Sequence, residues 1–264
     1  MDTSFSFGNF LHDWLTLEGG PTMPLFGLWH ILFDIIIFGS AFTVGILCRN
    51  KNESVKSKIL NGLVIALVCL YIFDFFMGPL WRDREGTIDK LPFHVCTVMC
   101  PLTALSRIFY NQFSKVRMPI AVLSLVGSLM YMTYPGSAIG EGSYAFSYVV
   151  LQTFLYHGVL FTFGFLSIAF GDAKIDIKKF WIMPLAVLVL MCWAFLGNYT
   201  YNYIRPYDWF FVMGGLFSFI PEKWMHVYVF GAVSLMCLII FGLTYAIDAI
   251  RNKIEAKQKV EVAE

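Results

Sequence analysis

The chain has 264 residues, of which 58% are hydrophobic, 18% aromatic and only 14% charged, and its mean hydropathy is +0.67. A soluble domain carries about 25% charge and about 45–50% apolar residues, so this composition excludes a water-soluble globule and requires an integral membrane protein. The net charge is +1 with the basic residues dispersed, which argues against a nucleic-acid surface. The six cysteines (Cys48, Cys69, Cys96, Cys100, Cys192, Cys237) lie in or beside apolar stretches with no CxxC pair, so neither a disulfide framework nor a zinc ribbon is indicated. Residues 1–24 lack Lys and Arg and include Asp2, His12, Asp13 and Glu18, the reverse of the basic start of a signal peptide.

A bilayer core of about 30 Å requires about 20 apolar residues per helix. Taken in chain order, the segments that meet this length are roughly 25–47, 59–81, 92–110, 117–135, 146–170, 180–199 and 225–248. Thr97, Thr103, Ser106 and Arg107 dilute the third. The expectation is an all-α membrane protein, a single seven-transmembrane-helix bundle over 25–248. An extracytoplasmic segment (1–24) precedes it and a basic tail (249–264) follows. Arg49, Lys51, Lys56 and Lys58, then Arg107, Lys115 and Arg117, then Lys174, Lys178 and Lys179, and finally Arg251, Lys253, Lys257 and Lys259 fall on the tail's side. The other side holds only Arg82, Arg84, Lys90, Arg205 and Lys223. The positive-inside rule therefore predicts a cytoplasmic C-terminus and an outside N-terminus.

Ionisable residues within spans are costly and default to functional candidates. At 1.5 Å per residue, His30 and Asp34 fall in the outer half of span one and Asp74 near the outer end of span two. His94 and Cys96 open span three, and Tyr134 closes span four. Gln152 and His157 lie in span five, Asn198 and Tyr199 end span six, and His226 begins span seven. This one-sided distribution predicts a polar cavity that opens outward. Plainer readings stand beside it: Asp34 and Asp74 bind helix ends or pair with Arg82 or Arg84, His30 anchors at the interface beside Trp29, and His226 is solvated. Trp81, Trp181, Trp209 and Trp224 fit an aromatic belt.

The densest segment is Leu91-Pro92-Phe93-His94-Val95-Cys96-Thr97-Val98-Met99-Cys100. Pro92 suits a first helical turn, which puts Cys96 where the helix dipole favours a thiolate. Cys96 and Cys100 share a face, whereas His94 and Cys96 do not. Three readings remain open: Cys96 as a nucleophile with a histidine base, a metal set of His94, Cys96 and Cys100 that is weak because its ligands span two faces, and cysteines as packing residues. His157 lies in an otherwise apolar span and needs a partner. It is the best available base for Cys96, but these span boundaries set it about 10 Å deeper, a mismatch removed if span five begins near Tyr148 or span three begins earlier.

The segments Leu91-Pro92-Phe93-His94-Val95-Cys96, Tyr134-Pro135-Gly136, Tyr156-His157-Gly158 and Asn198-Tyr199-Thr200-Tyr201 through Arg205-Pro206, in this order across roughly 25–250, resemble the YwaF-like family of bacterial integral membrane proteins. The animal relatives of that family are transmembrane acyltransferases that build ether-linked phospholipids. The resemblance implies a multi-pass protein of the bacterial cytoplasmic membrane that acts on membrane phospholipids without a cofactor or metal. It also implies that Cys96 carries the acyl group and His157 assists, with His94, Asn198 or Tyr199 as oxyanion donors. Asp34, Asp74, Tyr134, Gln152 and Arg205 complete the supporting set. An outward-side site faces no acyl-CoA, which favours transacylation or lipid hydrolysis. The rival expectation is a transporter or receptor in which Asp34 and Asp74 hold a cation or proton and Pro135, Gly136, Pro184 and Pro206 mark broken helices. A thiol-redox role is a third reading, poorly served by the spacing of Cys96 and Cys100.

Overall fold

The computed structural model describes residues 23–81, 90–135, 145–174, 176–201, 208–211 and 220–261. Among these residues the chain forms seven α-helices and no strand: α1 (Leu28–Cys48), α2 (Glu53–Trp81), α3 (Val95–Ile108), α4 (Arg117–Thr133), α5 (Tyr148–Ala169), α6 (Ile182–Tyr201) and α7 (Glu222–Glu261). Single 3-10 turns at Ile177–Lys179 and Trp209–Phe211 lie before and after α6. Each helix falls on one predicted segment. The main departure is α7, which continues past 248 to Glu261, because no Gly or Pro interrupts the good helix formers of the tail.

Apolar stretches in Leu28–Cys48, Glu53–Phe76, Tyr148–Ala169, Ile177–Tyr201 and Glu222–Ile247 are long enough to cross a bilayer, and the protein is a multi-pass membrane protein. The helices α3 (14 residues) and α4 (17 residues) are shorter. At 1.5 Å per residue they reach about 21 Å and 26 Å. Span three is thus trimmed at both ends. Pro92 does not begin the helix; the backbone turns at Phe93 (N–H to Leu91 O, 2.8 Å) and His94 becomes the N-cap residue.

Residues 118–126 of α4 are buried without a break, as expected of a helix enclosed on all sides. Its closest neighbour is α5, and α3 and α7 also pack on it. Pro119 is tolerated because it stands in the first turn, where no N–H is needed. Gly164 explains how close α4 and α5 come: a methyl group there would lie 2.6 Å from Ala121 O and 2.7 Å from Leu125 N. Small residues at such crossings let membrane helices pack backbone to backbone. Outside this centre, α1 is apolar but largely uncovered, the state of a helix that faces lipid.

Candidate functional site

The site is assembled at one end of the bundle, where the turn before α3 meets α2 and α5. Lys90 Nζ lies 2.5 Å from Asp74 Oδ2, with Asp74 buried. The hydroxyl of Tyr71, one turn from Asp74 on α2, donates to Lys90 O at 2.5 Å. Tyr148 donates to Asp74 Oδ1 at 3.4 Å from the first residue of α5. A buried carboxylate is tolerated only when paired and hydrogen-bonded, and these three contacts meet that requirement. The expected partners Arg82 and Arg84 lie outside the described residues, and Lys90 takes the pairing role.

Cys96 is the second residue of α3 and is half-buried. Tyr156 Oη donates to Cys96 O at 2.9 Å, which fixes α5 against the start of α3. Tyr148, Gln152 and Tyr156 are spaced four apart, so they share one face of α5. That face presents Tyr148 to Asp74 and Tyr156 to Cys96, with buried Gln152 between them. Cys96 is one residue and Tyr156 eight residues past the first residue of its helix, so their contact reflects a stagger between α3 and α5. Cys100, one turn below, is buried.

His157 follows Tyr156 and is buried, with its ring stacked on Tyr131 of α4 at 3.8 Å and 7°. Its Nδ1 lies 2.8 Å from Thr153 O. A carbonyl only accepts, so Nδ1 carries the proton and the neutral ring keeps its lone pair on Nε2. That atom is buried and makes no hydrogen bond, to Cys96 or to any other group. Lys90 is close enough to act electrostatically on His94, Cys96 and His157, and His94 on His157. The start of α3 therefore holds Cys96 near the Asp74–Lys90 pair, and no hydrogen bond joins Cys96 to the open imidazole acceptor of His157. Among the described residues, no three His, Cys, Asp or Glu side chains gather as a metal set.

The loop after α6 borders this cluster. Asn198 grips the backbone of Trp209 at both ends of its amide: Oδ1 accepts from Trp209 N at 2.8 Å and Nδ2 donates to Trp209 O at 3.2 Å. His94 Nδ1 accepts from Phe210 N at 3.2 Å, and Phe210 adopts φ 66°. For a bulky residue this left-handed backbone is strained, and the two polar grips hold it. Trp209 is buried against Phe93.

A sequence model of the TMEM164 family matches residues 25–245. The chain belongs to the TMEM164 family. No curated protein and no solved structure shows a match. The TMEM164-family region contains the whole cluster, from Asp74 and Lys90 through Cys96, Tyr131 and His157 to Trp209.

The remaining candidates fall elsewhere in this TMEM164-family chain. His30 Nε2 lies 2.6 Å from Met132 O and 3.4 Å from Asp34 Oδ2, while its Nδ1 accepts from Phe26 N at 2.9 Å. His30 and Asp34 thus join α1 to the end of α4, and His30 is a buried strut instead of an interfacial anchor. Tyr199 is 88% exposed. The amide of Asn198 is committed to Trp209 and has a positioning role instead. Tyr134 caps α4 and is exposed, as is His226. Arg205, Gly136 and Pro206 lie outside the described residues. Sequence reasoning missed Lys90, Tyr71, Tyr131 and Tyr156 as members of the site. The four-residue spacing of Tyr148, Gln152 and Tyr156 was the available signal.

Proposed function

We propose that this protein is a membrane acyltransferase or transacylase that acts on phospholipids through a Cys96 acyl-enzyme with His157 as base. The observation that carries this reading is the open Nε2 of His157, buried at the level where Tyr156 grips the backbone of Cys96. A buried imidazole acceptor left unpaired is costly, and a thiol proton brought to it offsets that cost.

In the proposed cycle the Cys96 thiol proton moves to Nε2 and the sulfur attacks an ester carbonyl of a phospholipid. The carbon–oxygen bond to the glycerol breaks, the departing oxygen takes the proton from Nε2, and an acyl thioester remains. The hydroxyl of a lysophospholipid then gives its proton to Nε2 and attacks the thioester, and the released sulfur regains that proton. Lys90, though paired with Asp74, adds positive potential at Cys96 that favours the anionic stages. Thr153 holds the ring with Nε2 free, as a base must be held.

We read all seven helices as spans, with α3 and α4 extended by their flanking turns, the N-terminus outside and the tail cytoplasmic. On the YwaF-like resemblance, the bacterial cytoplasmic membrane is the location. A site at the outer end has outer-leaflet lipid at hand and no acyl-CoA, so transacylation or lipid hydrolysis is preferred. Acyl-CoA turnover by the purified protein would contradict that preference.

The test is intact-mass spectrometry of purified wild type and Cys96→Ala after incubation with mixed phospholipids. A hydroxylamine-labile fatty-acyl adduct on wild type alone supports the proposal. Absence of an adduct with every lipid overturns it in favour of a transporter or receptor. Asp34, whose Oδ1 is buried without a hydrogen-bond partner, is then the residue to pursue, since Asp74 is already neutralised by Lys90.

A further inference from the structure

At the opposite end of the helices, about 16 Å along α3 from Cys96, two arginines meet one carboxylate. Arg107 donates through Nη1 to Asp172 Oδ1 at 2.8 Å, through Nε to Asn61 Oδ1 at 2.8 Å and through Nη2 to Ser57 Oγ at 2.7 Å. Arg117 Nη1 donates to the same Oδ1 at 3.3 Å and to Asp172 O at 3.4 Å. Tyr110 Oη donates to that oxygen as well, at 3.1 Å, and its ring lies 3.6 Å under the Arg117 guanidinium. The side chains of Arg107, Arg117 and Asp172 are 7%, 12% and 13% exposed.

This arrangement does not balance. Arg107 by itself neutralises Asp172 with a shorter bond, so the charge of Arg117 is surplus. Its Nε is buried with no hydrogen-bond partner. A buried charge needs a counter-charge, and a guanidinium needs acceptors for its planar fork. No acidic residue stands in the first turn of α4. Glu53 and Asp176, also on this side, pair with Lys56 and Lys179.

We propose that Arg117, supported by Arg107 and Tyr110, binds a phosphate-type oxyanion at this end of the bundle. Its source is either the phosphate of an anionic lipid in the adjacent leaflet or a soluble phosphate. Phosphate supplies the acceptors that the guanidinium lacks and removes the excess positive charge. The site is separate from the Cys96 cluster and does not depend on its chemistry.

The experiment uses the full-length protein purified in a neutral detergent. Native mass spectrometry compares retention of phosphatidylglycerol and phosphatidylcholine, and thermal unfolding is followed with and without inorganic phosphate. The expected result is at least a tenfold preference for phosphatidylglycerol, or a rise of several degrees in Tm with phosphate. Retention of phosphatidylglycerol without a response to phosphate assigns the site to lipid; a response to phosphate assigns it to the soluble anion. Arg117→Gln should abolish the response without lowering the anion-free Tm, whereas Lys178→Gln on the exposed turn should leave it intact. Arg117→Lys, which keeps the charge and loses the fork, should weaken binding about tenfold. Three results would overturn the proposal: no response in wild type to either anion, an unchanged response in Arg117→Gln, or a large anion-free loss of Tm in that variant. The last would make Arg117 a structural partner of Asp172.

Discussion

At the scale of single residues, the cluster around Cys96 depends on where each proton sits. The Nδ1–H of His157 is tied to Thr153 O, so the only open position on the ring is Nε2. His157→Ala should reduce formation of the acyl adduct about 100-fold, the lower end of what general-base catalysis supplies. The Tm should fall as well, because removing a buried ring stacked on Tyr131 leaves a cavity; adduct kinetics by mass spectrometry and a melting curve of the same sample check both. Lys90→Met leaves Asp74 charged and buried without its partner, an effect of about 3–5 kcal/mol. The double variant Lys90→Met with Asp74→Leu should recover most of that loss, and equilibrium unfolding of the four proteins measures the coupling. Recovery that fails would mean that the cost of Lys90→Met does not come from leaving Asp74 unpaired.

Elements meet through small contacts of large consequence. The α4–α5 crossing rests on Gly164, where a methyl group has no room because two backbone atoms of α4 stand within 2.7 Å. Backbone cannot step aside as a flexible side chain can. Gly164→Ala should therefore cost about 1–3 kcal/mol through overpacking, read as a lower Tm. Gly39 in α1 has nothing within 4 Å, so Gly39→Ala should be neutral or stabilising by up to about 1 kcal/mol through helix propensity. The two variants make the same chemical change on two helices, and only the packing differs. A similar logic separates the cysteines. Cys69 and Cys192 are exposed on apolar helices, Cys100 and Cys237 are buried, and half-buried Cys48 ends α1 at the other side of the bundle, which leaves Cys96 beside a polar cluster. A water-soluble maleimide added from outside should label wild type and fail to label Cys96→Ala.

At the scale of the whole molecule, the bundle separates two polar ends. One holds the thiol, imidazole and lysine, and the other holds the Arg107–Asp172–Arg117 group. In the proposed orientation the second end is cytoplasmic, so a reporter fused after Glu264 should be active only inside the cell; activity outside would invert the assignment of both ends. Composition and apolar run length were enough to determine an all-helical membrane protein and the approximate limits of its helices, because the bilayer leaves a chain this apolar no alternative way to satisfy its backbone. Cys96 and His157 stood out as candidates through their residue types and the family resemblance. The partners were not legible. Lys90 entered only the charge count, Tyr71 and Tyr131 drew no assignment, and nothing along the chain tied Asn198 to the backbone of Trp209. Each of those roles joins residues on different helices, and helix-to-helix rotation and register are set by packing such as Gly164 on α4. A one-dimensional pattern carries periodicity along a helix but no information about which face meets which neighbour, and that choice was made only by the tertiary structure.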